Sequence, residues 1–317
     1  MTYRNRARNT LASMLAAVAM TSLLLNVLIR TAMPEWADPE YGIRMKRLRS
    51  ESSRDPGKPV VLALGSSRLQ MALDPNSMDD ADRVLFFNGG QSGCGPRQTL
   101  ANFRRYRVDG VQPHALIVEI LPALLTGDLP LLDDWTEFFA PWSAHRSRLL
   151  SQAGAGRYQA RSERCDYLWK QMKPGGWMPY FHESISDAKR TAGLAVARAE
   201  YAPKLQRCDV ANDVRGTYVA FLAEAQANTT PVLFVLLPES PTFRHWVGPG
   251  FEPMLQAYLA ELRHEADVID ARDWFADETC FADGHHLMRH AATSFSKRFG
   301  AVHVEPWLRR TGIVATP

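Results

Sequence analysis

The stretch VVLALGSSRLQ, Val60 to Gln70, is apolar on both faces and then breaks off into small and polar residues. The run Val60 to Leu64 suits a central strand of a parallel sheet covered by helices. In open sheets of that kind, ligands gather beyond the carboxyl ends of the strands. Gly65, Ser66 and Ser67 therefore fall where chemistry tends to be placed. The plainer reading is a strand-to-helix turn in which Ser66 or Ser67 caps the next helix.

Working outward, four further strands are expected: Arg83 to Gly90, His114 to Ile120, Pro231 to Pro238 and Ala266 to Ala271. Helices are expected over Arg97–Tyr106, Val214–Ala227, Phe251–His264 and Leu287–Phe299. That alternation predicts an α/β fold with a parallel sheet and right-handed crossovers. The third and fourth strands stand more than a hundred residues apart, far beyond what a crossover requires. An insert over about 124–211, rich in aromatics such as Trp135, Trp142, Trp177, Tyr180 and Phe181, fills the gap. It reads as a helical cap over the active face or as a subdomain at the sheet edge.

The chain has 317 residues, 46% hydrophobic and 22% charged, enough for one large domain with a buried core. A net charge of +3 with no dense basic patch beyond the N-terminus gives no case for a nucleic-acid partner. The N-terminus says more. Thr10 to Ile29 holds no charged residue and is long enough to cross a bilayer as a helix. Arg4, Arg6 and Arg8 precede it, which puts that end in the cytoplasm. The alternative is a cleaved signal peptide. The expected organisation is a cytoplasmic basic tail over 1–9, a single-pass anchor in the cytoplasmic membrane over 10–30 and a juxtamembrane linker over 31–58 with a short helix around Tyr41–Ser50. A domain over 59–310 follows, lying in the periplasm or outside the cell. Cys94, Cys165, Cys208 and Cys280 suit an oxidising compartment and lack zinc-site spacing.

Near the C-terminus, CFADGHHLMRHAATSFSKRF (Cys280 to Phe299) places Asp283 and His286 three apart in a loop entering an amphipathic helix. Leu287, Ala291, Phe295 and Phe299 form its apolar stripe. Asp283 can orient His286 as a general base, and the serine turn supplies a nucleophile. Alone, an Asp-x-x-His spacing equally describes a capping carboxylate beside solvated histidines.

Taken in order, Gly65-Ser66-Ser67, then Asn88-Gly89-Gly90-Gln91-Ser92-Gly93, then Asp283-Gly284-His285-His286 resemble the blocks of the SGNH (GDSL-type) hydrolase superfamily. The resemblance implies a flavodoxin-like three-layer α/β/α sandwich around a five-stranded parallel sheet. It implies Ser67 as nucleophile, His286 as base and Asp283 as its orienter, with Ser66 and His285 as rivals. The oxyanion hole would take the N–H groups of Ser67 and Gly90, and losing such a donor costs about 3–4 kcal/mol. The family's Gly-x-Asn-Asp block has no counterpart after the third strand, where the chain reads VEILPALL (Val118 to Leu125). Arg68, Glu119, Glu239, Ser240 and Arg244 are candidate substrate contacts.

The missing block and the N-terminal helix resemble the envelope-anchored branch that loads D-alanine onto teichoic acids or acetylates alginate. What this implies is an extracytoplasmic serine esterase or O-acyltransferase acting on cell-envelope polysaccharide, needing no metal or organic cofactor. A membrane-embedded acyl donor protein would be its partner. The alternative is an inactive scaffold or glycan-binding module of the same fold. A flavodoxin-like binding domain would want a glycine-richer first turn. The four cysteines form two disulfides or none; if they pair, convergence of the Gly90 and Asp283 loops favours Cys94–Cys280, with Cys165–Cys208 tying the insert, out of three full pairings.

Overall fold

The computed structural model describes residues 3–32, 35, 38–78, 83–127, 129 and 155–315. In chain order the elements begin with α1 (Tyr3–Ala32), α2 (Pro39–Arg54), β1 (Val60–Leu64), α3 (Ser67–Ala72), β2 (Leu85–Asn88), α4 (Pro96–Val108) and β3 (Ala115–Glu119). There follow α5 (Ala155–Gln171), α6 (Asp187–Leu205), α7 (Asn212–Gln226), β4 (Val232–Leu236), α8 (Pro241–Arg244), α9 (Phe251–Arg263), β5 (Asp267–Asp270), α10 (Arg289–Phe299) and α11 (Glu305–Arg310).

The chain divides into two compact units, Met1–Ile43 with Asp134–Trp169, and Arg44–Asp133 with Lys170–Pro317. In the first, the Cys165 thiol donates to the Glu35 carbonyl at 3.2 Å, and Arg164 pairs with Glu40 at 2.6 Å. The uncharged N-terminal run lies within α1, and its described apolar side chains, Leu11, Met14, Leu15 and Val18 among them, are exposed. Among the described residues no helix is long and apolar enough to cross a membrane.

The second unit is the α/β domain. Its five parallel strands run in the order β2-β1-β3-β4-β5. From β1 the chain crosses to one side for β2 and to the other for β3, so the carboxyl end of β1 lies at a topological switch point. The double-sided apolar character of β1 is explained by its two covers. On one face Val61 and Ala63 pack with Leu69 of α3, Ala291, Phe295 and Phe299 of α10, and Trp307 of α11. On the other, Phe234 of β4 meets Tyr218 of α7 edge-on at 5.7 Å, and Phe221 of α7 stacks on Phe103 of α4 at 4.9 Å. Helices on both faces make three layers.

The expected strands all form, the first as Val60–Leu64 and the other four trimmed at their ends. The stripe Leu287, Ala291, Phe295 and Phe299 is buried throughout, as helical spacing requires. The helix starts later than expected, at Arg289, because Leu287 instead pairs with Phe281 in an antiparallel bridge. In the stretch read as a linker, α2 carries a fully buried arginine: Arg44 donates to the carbonyls of Asn88 at 3.0 Å and Gly176 at 2.9 Å. The expected disulfides do not form. Cys94 is buried beside Gln91 and Asn102, where Asn102 Nδ2 donates to its sulfur at 3.6 Å. Of the insert aromatics, Trp135 and Trp142 lie outside the described residues.

Candidate active site

The serine turn is built from below. Glu119, the last residue of β3, accepts the Ser66 N–H on Oε2 at 2.6 Å. A Cβ on Gly65 would come within 2.5 Å of that oxygen, so glycine is what lets the carboxylate reach the turn. Ser66 is the cap of α3, its Oγ accepting the Arg68 N–H at 3.1 Å. Its oxygen serves as the helix cap, and it is Ser67 whose hydroxyl meets His286. Ser67 opens the helix, half-buried, with Oγ 2.8 Å from His286 Nε2.

The histidine side is a loop closed by the Phe281–Leu287 bridge and by the Ala282 N–H donating to the His286 carbonyl at 2.9 Å. Gly284 sits at φ +93°, the left-handed region that lets the chain double back. As a result Asp283 Oδ1 accepts the His286 N–H at 3.0 Å, while Oδ2 lies 2.7 Å from His286 Nδ1. With the Nδ1 proton held by Asp283, Nε2 keeps a lone pair for the Ser67 hydroxyl. Burial alone would raise the Asp283 carboxyl, but the imidazoles of His286 and His285 and the hydrogen bonds to His286 hold it well below the usual carboxylate range.

His285 is no match as the base. Its Nδ1 is 3.2 Å from Asp283 Oδ1 but is not aligned for a hydrogen bond. The ring is buried against Tyr201, with centroids 5.0 Å apart, and Phe243 at 5.5 Å. Burial and the neighbouring His286 keep it well below the ordinary imidazole value, hence neutral. Ligand atoms of Asp283, His285 and His286 lie within 4.8 Å of one another, a grouping that could hold a metal ion. In the observed geometry Asp283 Oδ2, the His286 ring and Ser67 Oγ stand in one hydrogen-bonded series.

Of the two expected oxyanion donors, one is placed for the task. Ser66 N–H and Arg68 N–H are both taken, whereas Ser67 N–H stands at the first helical position, where no acceptor exists within the helix. Gly90 N–H is committed to Asn88 Oδ1 at 3.0 Å. Asn88 in turn donates through Nδ2 to the Leu69 and Leu73 carbonyls, at 2.9 and 2.7 Å, so it locks the second loop onto α3.

The candidate substrate contacts are corrected by the structure. Arg68, Glu119, Glu239 and Ser240 are all buried under the site. Arg68 lies 3.9 Å from Glu119 and 3.2 Å from Glu239, and donates to the carbonyls of Leu237 and Pro238 at 3.0 and 3.1 Å. Burial raises the Glu239 carboxyl against the pull of Arg68 and Arg272. Ser240 caps α8 through Phe243 N–H at 3.2 Å, and its own N–H holds the Gly284 carbonyl at 2.8 Å. Arg244 lines a different cavity of about 640 Å³, with Glu252, Gln256, Asp270 and Arg272.

Three elements of the site were invisible in the sequence. Gly193 of α6 lies against the catalytic loop so closely that a Cβ there would be 2.9 Å from Asp283 Cβ. Tyr201 of α6 and Phe243 of α8 wall in His285. None of the three carries a motif, because each is set by packing between segments far apart in the chain.

No family description matches the sequence. No curated protein matches it either. Among solved structures, the chain is similar to a Bacteroides fragilis protein described as an acylhydrolase, at 11% identity and a TM-score of 0.40, over 82% of this chain and 95% of that one. It is similar to a GDSL-like lipase from Bacteroides thetaiotaomicron at 11% identity and TM-score 0.39, over 86% and 100%. A Streptococcus pneumonia protein described as a platelet activating factor shows 13% identity and TM-score 0.40, over 89% and 98%. Likenesses of this size carry no weight for activity, which rests on the site's own geometry.

Proposed function

We propose that the protein is a serine-dependent acyl ester hydrolase or O-acyltransferase of the SGNH type, acting outside the cytoplasm on cell-envelope polysaccharide. The observation that carries the chemistry is the unbroken contact series Ser67 Oγ, His286 Nε2, His286 Nδ1, Asp283 Oδ2, at 2.8 and 2.7 Å. Ser67 Oγ attacks the ester carbonyl carbon and its proton passes to His286 Nε2. The alkoxide carbon–oxygen bond breaks, and that proton leaves with the alcohol. Water, or a sugar hydroxyl in the transferase case, then gives its proton to His286 as its oxygen bonds the acyl carbon; the Ser67 Oγ–acyl bond breaks and the proton passes from His286 back to Ser67 Oγ. The Ser67 N–H is the donor for the tetrahedral oxyanion.

The envelope location rests on the sequence, on the uncharged run Thr10–Ile29 behind Arg4, Arg6 and Arg8. A single-pass anchor would hold the site near envelope glycans and near a membrane-embedded acyl donor. A second reading, a catalytically silent module of the same fold, is favoured by one observation: the Gly90 amide is already bonded to Asn88, leaving the hole with one placed donor. A fluorophosphonate probe decides between them. Labelling of Ser67, with p-nitrophenyl acetate turnover reduced about a thousandfold or more in Ser67→Ala and His286→Ala, supports the enzyme. An unlabelled Ser67 in folded protein supports the silent module.

A further inference from the structure

The segment Trp177–Glu183 straddles the two halves of the catalytic relay. At one end, Trp177 Nε1 donates to the Met71 carbonyl at 2.9 Å and Met178 N–H to the Gln70 carbonyl at 3.3 Å, both on α3, the helix that Ser67 opens. At the other, Glu183 pairs with Arg289 at 2.9 Å, at the start of α10, just past His286. Between these ties stand three rings. Tyr180 and Phe181 are stacked with centroids 4.8 Å apart, and His182 tilts against Phe181 at 4.1 Å. Phe181 is 61% exposed, in a domain whose other phenylalanines on the sheet faces are buried.

The ties place these rings at the histidine side of the site, and the Asp283 charge is felt at the Tyr180 phenol, which burial and that charge both raise. The proton leaving His286 Nε2 goes to the alcohol oxygen of the ester, so the alcohol part of the substrate must lie on this side. The rings are edged by polar groups: the Tyr180 hydroxyl, the His182 imidazole and the exposed Glu183 carboxylate. A flat apolar face with hydrogen-bonding edges suits a sugar ring, whose C–H face covers the aromatic while its hydroxyls meet the rim. A hydrocarbon chain would leave that rim unpaired.

We infer that Tyr180 and Phe181 form a subsite for the pyranose ring that carries the ester, which makes the leaving alcohol a glycan. This rests on Ser67 acting through His286, so the test reads binding and chemistry separately. The full chain in detergent is titrated with partly O-acetylated xylotetraose, cellotetraose and chitotetraose by saturation-transfer NMR, as wild type, Ser67→Ala and Phe181→Ala. Turnover of ethyl acetate, which has no ring, is measured alongside. At least one tetraose should bind wild type and Ser67→Ala alike. Phe181→Ala should weaken it about five- to tenfold, with ethyl acetate turnover within about twofold of wild type. Tyr180→Phe, which keeps the ring, should bind more tightly than Tyr180→Ala. Unchanged tetraose binding in Phe181→Ala, or no binding of any tetraose to wild type, overturns the subsite. So does an equal loss of hexyl acetate turnover, which would make the rings an acyl-alcohol chain site. Failure of ethyl acetate turnover with tetraose binding intact would count against the serine chemistry and leave the subsite standing.

Discussion

Glu119 Oε2 accepts the Ser66 N–H at 2.6 Å while its other oxygen faces Arg68 Nε at 3.9 Å, so one carboxylate bonds the residue before Ser67 and lies at ion-pair distance from the residue after it. At this strand end stands an acid turned inward, 5% exposed. Its place in the site is below the nucleophile rather than beside the substrate.

Removing that carboxylate should loosen the turn. Glu119→Ala leaves the Ser66 N–H unsatisfied and Arg68 with Glu239 as its remaining carboxylate, a loss of about 3 kcal/mol in unfolding free energy. Glu119→Gln keeps an acceptor for the amide and should lose less. Because Ser67 and its N–H are displaced together, kcat on ethyl acetate should fall in Glu119→Ala with KM nearly unchanged. Urea unfolding and steady-state kinetics on the pair of variants check this. Wild-type stability and rate in Glu119→Ala would mean the turn holds itself.

A second prediction concerns α6. The approach of Gly193 to Asp283 leaves no room for a methyl group, since the added Cβ would sit 2.9 Å from Asp283 Cβ and 3.4 Å from the Ala282 carbonyl. Gly193→Ala should push the helix off the loop or the loop off its line with Ser67. Intrinsic helix propensity favours alanine by roughly 1 kcal/mol, and overpacking costs about 1–3 kcal/mol. Stability should therefore change little while kcat falls, and comparison of unfolding curves with turnover separates the two. An unaltered kcat would show that the loop is positioned without α6.

How much of this could be read beforehand follows from what kind of force placed each residue. Val60–Leu64 and the stripe Leu287, Ala291, Phe295, Phe299 announced themselves through periodicity, because burial on two faces or on one leaves a direct mark on composition. Ser67, Asp283 and His286 were legible through their order along the chain and their spacing. Arg68, Glu239 and Ser240 were not, because a polar side chain looks the same whether it faces substrate or closes a buried network. Burial of Arg68 follows from carbonyls and carboxylates contributed by β3 and the segment after β4, which no local pattern reports. The packing of α6 on the catalytic loop was equally hidden, since Gly193 sits in a run of small residues that reads only as helix.

The cysteines give a third prediction. Without disulfides, all four thiols should be alkylated in the unfolded protein with no reductant added, and the melting temperature should not move with dithiothreitol. In the native protein Cys208, exposed, should react first. Cys280 should lag because burial and then the Asp277 charge raise its thiol, and buried Cys94 should be protected. Timed alkylation with peptide mapping reads each site. Recovery of a Cys94–Cys280 peptide under non-reducing conditions would contradict the structure.

The fourth prediction is a pH dependence centred on His285. Its ring is neutral in the folded protein, held below the ordinary value of 6.5 chiefly by burial, with the charges of His286 and Arg68 adding to that and Asp283 opposing. As pH falls through 6.5 the unfolded chain takes up a proton on this residue that the folded chain refuses. Stability is therefore full above that pH and is lost below it, by up to about 1.4 kcal/mol per pH unit, until the folded pKa is reached. Asp283, also depressed, adds its own loss only below its ordinary 3.8, so it gives no slope between pH 5 and 6.5. Replacing the residue by a neutral side chain, His285→Gln, should lower stability at pH 7.5 by removing packing against Tyr201 and Phe243. The same change should flatten the decline between pH 6.5 and 5 by about one proton. Urea unfolding at half-unit steps of pH measures both effects. Parallel curves for wild type and variant would show that His285 takes up its proton equally in both states, and that burial does not keep it neutral.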